Sequence, residues 1–190
     1  MRTLIAILML AASSSAALKP LVEGNPSSQV HAIIYEDLQC PDCAVFREMM
    51  DKQILPKYGD RVAFEHRDFP IPRHKWARQS AIAARYFESV DPKLALEWRR
   101  YSLANHKEIT AETFNDKFSE WAKAHGIDPA KATAALGDKA LAAAVEDDYQ
   151  DAVARGIAHT PTVLVEGEAF VETFTFEEIS KGLDRALGGK

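Results

Sequence analysis

In Val30-His31-Ala32-Ile33-Ile34-Tyr35-Glu36-Asp37-Leu38-Gln39-Cys40-Pro41-Asp42-Cys43 an apolar, β-branched run passes within a few residues into a Cys-Pro-x-Cys pair. Residues 30–35 suit a buried strand. Pro41 is well placed at a first helical position. Val45, Phe46, Met49, Met50 and Ile54 follow at three-to-four spacing, until Pro56 disturbs the pattern. The stretch therefore reads as a strand feeding a helix, with Cys40 at the helix N-terminus. Free N–H groups and the positive end of the helix dipole there favour thiolate over thiol. A stabilised thiolate is a good leaving group, so a disulfide that contains it is easily attacked and easily reduced. Cys43, one turn further in, is placed to resolve a mixed disulfide.

The rest of the chain builds outward from this unit. Residues 18–29 contain Pro20, Gly24 and Pro26 and read as an irregular lead-in. Val62, Phe64 and His66 alternate with Arg61, Glu65 and Arg67, which predicts a second strand ending before Phe69-Pro70-Ile71-Pro72. From His74 to about Gly156 the sequence is helix-like, broken at Asp91-Pro92, near Asn105, at Gly126-Ile127-Asp128-Pro129 and at Gly137. Thr160-Pro161 precedes Thr162-Val163-Leu164-Val165, a Glu166-Gly167-Glu168 turn and Ala169-Phe170-Val171, a strand hairpin. Thr175-Phe176-Glu177-Glu178 is a capping box for a last helix ending at Gly188-Gly189. Strand–helix–strand, a helical block and a hairpin with its helix imply a small mixed α/β sheet covered by helices.

The 190 residues include 28 acidic and 23 basic ones, and the net charge of −5 argues against a nucleic-acid surface. Residues 1–17 have the form of an export signal. Met1-Arg2 gives a positive start, Leu4 to Ala12 is uncharged and apolar, and Ser13-Ser14-Ser15-Ala16-Ala17 offers small residues for cleavage. The apolar run is shorter than the roughly 20 residues that span a bilayer. The mature chain, 18–190, is thus expected to be soluble and periplasmic or otherwise extracytoplasmic, where disulfides persist.

Cys40 and Cys43 are the only cysteines. Two cysteines scattered at random fall three apart in roughly 1% of such chains, so the spacing reads as a selected pair. Other readings compete with a redox pair. A structural disulfide closing so small a loop stabilises little. Half a zinc site lacks a second pair, and His106 and His125 are not in ligand spacing with each other. A copper-binding module using both thiolates and one histidine stays open, because soft thiolates select Cu(I).

Asp37-Leu38-Gln39-Cys40-Pro41-Asp42-Cys43, the helical insertion and Gly156-Ile157-Ala158-His159-Thr160-Pro161-Thr162 together resemble the DsbA family of thiol–disulfide oxidoreductases. The resemblance covers essentially the whole mature chain. It implies a thioredoxin-like α/β fold with an inserted all-helical subdomain at about 71–158. It further implies Cys40 as the exposed nucleophile, Cys43 as the buried resolving thiol, and a cis Pro161 beside them. The backbone of Thr160 would then pair with an extended substrate. Pro41 and Asp42 would tune the thiols; strongly oxidising relatives carry histidine where this chain has Asp42. Family members often bury an acid six residues before the first cysteine as proton acceptor. Ile34 stands there, and Glu36, on the same strand face, is the substitute considered.

The resulting expectation is a dithiol oxidase acting as a monomer on unfolded or reduced exported proteins, without metal or organic cofactor. A membrane quinone-linked partner would reoxidise it. A reductase or isomerase of the same fold and the copper module are the alternatives. Several other charged residues read as surface: Arg73-His74-Lys75 as a solvated cluster, and Glu146, Asp147, Asp148 and Asp151 as a solubilising helix face. Trp76, Trp98 and Trp121 read as packing, and His159 either borders the thiols or caps a loop.

Overall fold

The computed structural model describes residues 20–188. The export signal expected at 1–17 lies outside them. Five strands form one sheet in the order β1-β3-β2-β4-β5: β1 Leu21–Gly24, β2 His31–Glu36, β3 Ala63–Asp68, β4 Thr162–Val165 and β5 Glu168–Val171. β2 and β3 run parallel, with Ile34 opposite His66 and Glu36 opposite Asp68, and the remaining pairings are antiparallel.

Strand β1 departs from the irregular lead-in that the sequence suggested. It is four residues long and hemmed by Pro20 and Gly24, so its alternation was too short to register. Leu21 and Glu23 nonetheless face inward as it pairs with β3. Gly24 closes the strand with φ +87, and a Cβ there would stand 2.5 Å from the Val62 carbonyl oxygen, so glycine is required on both counts.

Helix α1, Pro41–Met49, leaves the end of the middle strand. Pro56 cannot donate to the carbonyl one turn back and its ring crowds it. The chain accommodates this with a π turn at Met50–Ile54, where Leu55 N–H reaches Met50 O, before the short α2 Leu55–Tyr58. Between β3 and β4 lie α3 Ala77–Val90, α4 Pro92–Ala104, α5 Phe114–Ala124, α6 Pro129–Ala135 and α7 Lys139–Ala154. The breaks before α4, α6 and α7 fall where proline, glycine and N-capping aspartate stand, whereas α5 follows Thr113 without a side-chain cap. Asp91, Asp128 and Asp138 each cap the helix that follows. Helix α8, Phe176–Gly188, starts at a capping box in which Glu178 accepts from Thr175 N–H and Thr175 Oγ1 accepts from Glu178 N–H.

Alternate residues of β2 serve two cores. Ala32 and Ile34 pack with Phe46, Met50, Ile54, Phe64, Val163, Ile179 and Leu183, between the sheet and α1, α2 and α8. Ile33 and Tyr35 pack on the opposite face with Phe69, Tyr149, Ala152 and Leu164. A third core centres on Trp76, Phe87, Trp98, Phe114, Phe118 and Trp121 and reaches Leu38, Cys40 and Cys43. The three tryptophans are core residues, between 0% and 6% exposed. No helix among the described residues is long and apolar enough to cross a membrane.

Candidate active site

Cys40 is the N-cap of α1, with an extended backbone (φ −77, ψ 127), and Pro41 opens the helix. Opposite lies the loop before β4, in which the Thr160–Pro161 bond is cis. Cys40 Sγ lies 3.5 Å from Thr160 O, so strand, helix and loop converge on one sulfur. This contact corrects one expectation. Cys40 is only 4% exposed and Cys43 is fully buried, because the Thr160 loop and the Trp76 core close over the helix end.

What separates the two thiols is their ionisation. The Cys43 S–H donates to Cys40, and Thr160 and the backbone N–H groups of Cys43 and Asp42 add to it; against the opposing effect of burial they lower the Cys40 pKa to about 6. Burial raises Cys43 well above the thiol range, and the neighbouring Cys40 and the Glu36 carboxylate push it further; Asp37 N–H, 3.4 Å from Cys43 Sγ, opposes this. One thiol is a thiolate at neutral pH and its neighbour holds its proton.

Glu36, considered from the sequence as the proton acceptor for Cys43, is buried and paired. It is 3% exposed and accepts from His66 Nδ1 at 2.7 Å and from Arg99 NH1 at 2.9 Å. Burial would raise its pKa, but the charges of His66 and Arg99 prevail and hold it near 2. A carboxylate so stabilised is a poor proton acceptor for Cys43. It acts on the thiols through its charge.

The surroundings of Glu36 form a buried ionic layer. His66 Nε2 also donates to Glu23 Oε2, at 3.2 Å, so both ring nitrogens carry protons; the two carboxylates raise the His66 pKa against its burial. Arg47 pairs with Glu23 at 2.8 Å, Arg99 bridges Glu36 and Asp68, and Arg85 bridges Asp68 and Asp148. Asp148, read from sequence as part of a solubilising face, is 6% exposed and also accepts from Asp68 N–H. Asp151 likewise accepts from Tyr35 Oη at 2.5 Å. Their partners come from distant strands, which local patterning cannot anticipate.

Residues before the pair contribute more than the sequence suggested. Asp37, 1% exposed, accepts from Gln39 N–H and Ile71 N–H, both at 2.7 Å, and from His74 Nδ1 at 2.8 Å. Trp76 N–H donates to Gln39 Oε1 at 2.9 Å. The segment entering α1 is thereby bolted to the connector that leaves β3. His74 belongs to this joint, not to a solvated cluster. An aspartate two residues before a free backbone N–H was the signal available for it. His159 is exposed and bonds Glu172 Oε1 at 2.9 Å. Among the described residues, no group of three or more His, Cys, Asp and Glu is placed to hold a metal ion.

A Cys-x-x-Cys pair heading the helix after a middle strand, faced by a Thr-Pro loop, defines a thioredoxin-fold protein with a dithiol site. The chain belongs to the thioredoxin family, whose model matches residues 17–185. Its fold is similar to that of solved DsbA-type proteins. A cysteine-to-alanine variant of α-DsbA1 from Wolbachia pipientis superposes with TM-score 0.78 at 15% identity, over 90% of this chain and 92% of that one. BdbD from Bacillus subtilis in its oxidised form gives 0.75 at 21% identity, over 89% and 93%. The thiol-disulfide exchange protein α-DsbA2 from Wolbachia pipientis gives 0.75 at 20% identity, over 88% and 87%. No match was found among curated proteins.

Proposed function

We propose that the chain is an extracytoplasmic thiol–disulfide oxidoreductase working in the oxidase direction through Cys40 and Cys43. The observation that carries this reading is the unequal pair at the head of α1, with Cys40 lowered to about 6 and Cys43 raised. A substrate thiolate attacks Cys40 Sγ of the Cys40–Cys43 disulfide. The S–S bond breaks, and Cys43 leaves with the electron pair and takes up a proton, as its raised pKa favours. A second substrate thiolate then attacks the substrate sulfur of the mixed disulfide, and Cys40 leaves as a stable thiolate. Two electrons pass from the substrate dithiol to the enzyme. A membrane quinone-linked protein, the acceptor implied by the DsbA resemblance, returns the pair to its disulfide.

The oxidase direction is favoured over a reductase or isomerase because thiolate stabilisation exists only in the reduced state, which it makes the preferred one. Thr160 and Pro161 serve as the substrate-pairing edge, the backbone beside Cys40 being the part of the loop in reach of a bound segment. The signal-like residues 1–17 support action outside the cytoplasm.

Turnover of a reduced, unfolded two-disulfide substrate tests the reading. The wild-type protein, in catalytic amounts with an added oxidant, should accelerate disulfide formation. Cys43→Ala should instead accumulate a mixed disulfide at Cys40 when offered a substrate disulfide, because no resolving thiol remains to release it. Normal turnover by Cys43→Ala would overturn the assignment.

A further inference from the structure

Along α1, from Asp42 in its first turn to Met49, and against residues 172–174 runs a groove of about 140 Å³, with room for one side chain. Phe46, Met49 and Phe174 make its apolar part, the two rings meeting edge-on at 5.4 Å, and Val45, 65% exposed, stands at its lip. Two carboxylates border this apolar surface. Asp42, in the first turn of α1, is exposed and has no ion pair among the described residues. Glu172 follows the end of β5 in the left-handed region (φ 56), a conformation that is costly for glutamate. Its N–H donates to Pro161 O at 2.8 Å, so Glu172 is tied to the same loop that covers Cys40. Its Oε1 lies 2.9 Å from His159 Nδ1, within hydrogen-bond distance.

An apolar slot with acidic edges fits one kind of side chain. The aliphatic stem of arginine or lysine lies along apolar surface while its charged head reaches outward. The two carboxylates that border the groove pair with that head. An acidic side chain in the same place meets repulsion from both. We propose that the groove is a specificity subsite for an arginine or lysine adjacent to the reactive cysteine of the substrate, with Asp42 and Glu172 as its recognition groups. This rests on the oxidoreductase reading and adds to it a substrate class: reduced polypeptide segments with a basic residue beside the thiol.

The test uses two-cysteine peptides identical except for one residue beside the reactive cysteine, which is arginine, glutamine or glutamate. Each is oxidised by the protein in its disulfide form at about pH 8, above the usual histidine range. Each rate is divided by that peptide's rate with oxidised glutathione, which removes the effect of the side chain on the thiol itself. The normalised rate should be roughly five-fold higher for arginine than for glutamate, with glutamine between them, and the preference should shrink in high salt. Asp42→Asn and Glu172→Gln should each reduce the arginine-to-glutamate ratio, and the double variant should bring it near one. The ratio is read within each variant, so a change in Cys40 reactivity common to all peptides cancels. Equal normalised rates in the wild type, or an unchanged ratio in the double variant, would overturn the subsite while leaving the oxidoreductase reading in place. Oxidation of none of the peptides would overturn both.

Discussion

Two cysteines three residues apart end up with opposite acidities, and each difference has a local cause. Cys40 sits where backbone N–H groups of the first helical turn and the Cys43 S–H converge, whereas Cys43 sits one turn deeper, without solvent and within the field of Glu36. The lowered pKa of Cys40 fixes the sign of its pH dependence. Its stabilisation of the reduced fold is fully present above the ordinary thiol range and is lost as pH falls through about 6. Because the disulfide form has no thiolate, the same effect makes the protein more oxidising. Asp42 places an exposed carboxylate in that first turn, where it opposes a thiolate. Asp42→His should therefore lower the Cys40 pKa further and raise the reduction potential, by about 30 mV for each pKa unit gained. Equilibration in glutathione buffer measures this, and a shift toward more reducing values would show that Asp42 does not act on the sulfur. The Cys-Pro-x-Cys motif made the pair legible. The near-complete cover over Cys40 was not, because it depends on a loop 120 residues away.

At the scale of elements, the sheet face beneath α1 changes character along its length. Ala32, Ile34 and Phe64 are apolar, but Glu23, Glu36, His66 and Asp68 extend the same face as buried charge, closed over by Arg47 from α1 and Arg99 from α4. Breaking one partner of such a layer leaves its counter-charges buried and unpaired. Glu36→Gln should destabilise the protein by about 3 kcal/mol, measured by chemical denaturation of the dithiol form. It should also lower the Cys43 pKa, since the Glu36 charge raises it. Unchanged stability together with an unchanged Cys43 pKa would contradict both roles. Strands β2 and β3 were readable from their apolar alternation, while His66 showed only as one inward position in it. Its partners Glu23 and Glu36 lie 43 and 30 residues away, so their meeting is a property of the sheet order and not of local sequence. Strand β1 escaped notice for the same reason: the pairing that defines it is with β3, far along the chain.

Across the whole molecule, the helical stretch between β3 and β4 is attached to the sheet by charge as well as by packing. Arg85 and Arg99, from α3 and α4, reach Asp68 at the end of β3, and Asp148 of α7 meets Arg85 and Arg67. The starts of α4, α6 and α7 were legible because proline, glycine and capping aspartate act locally. The joint was not, since arginine and aspartate on a helix surface look alike whether solvated or buried. Its consequence for the site is rigidity: the segment entering α1 is held by Asp37 and Gln39 against residues 71–76, and the thiols rest on the aromatic core of the helical stretch. The central claim is that this frame makes Cys40 the nucleophile and holds Cys43 in reserve. Alkylation of the reduced protein with iodoacetamide as a function of pH, with the modified cysteine identified by mass spectrometry, tests it most directly. The account predicts labelling at Cys40 with a midpoint at about 6 and Cys43 unmodified through the neutral range. A midpoint in the ordinary thiol range, or earlier labelling of Cys43, would contradict it.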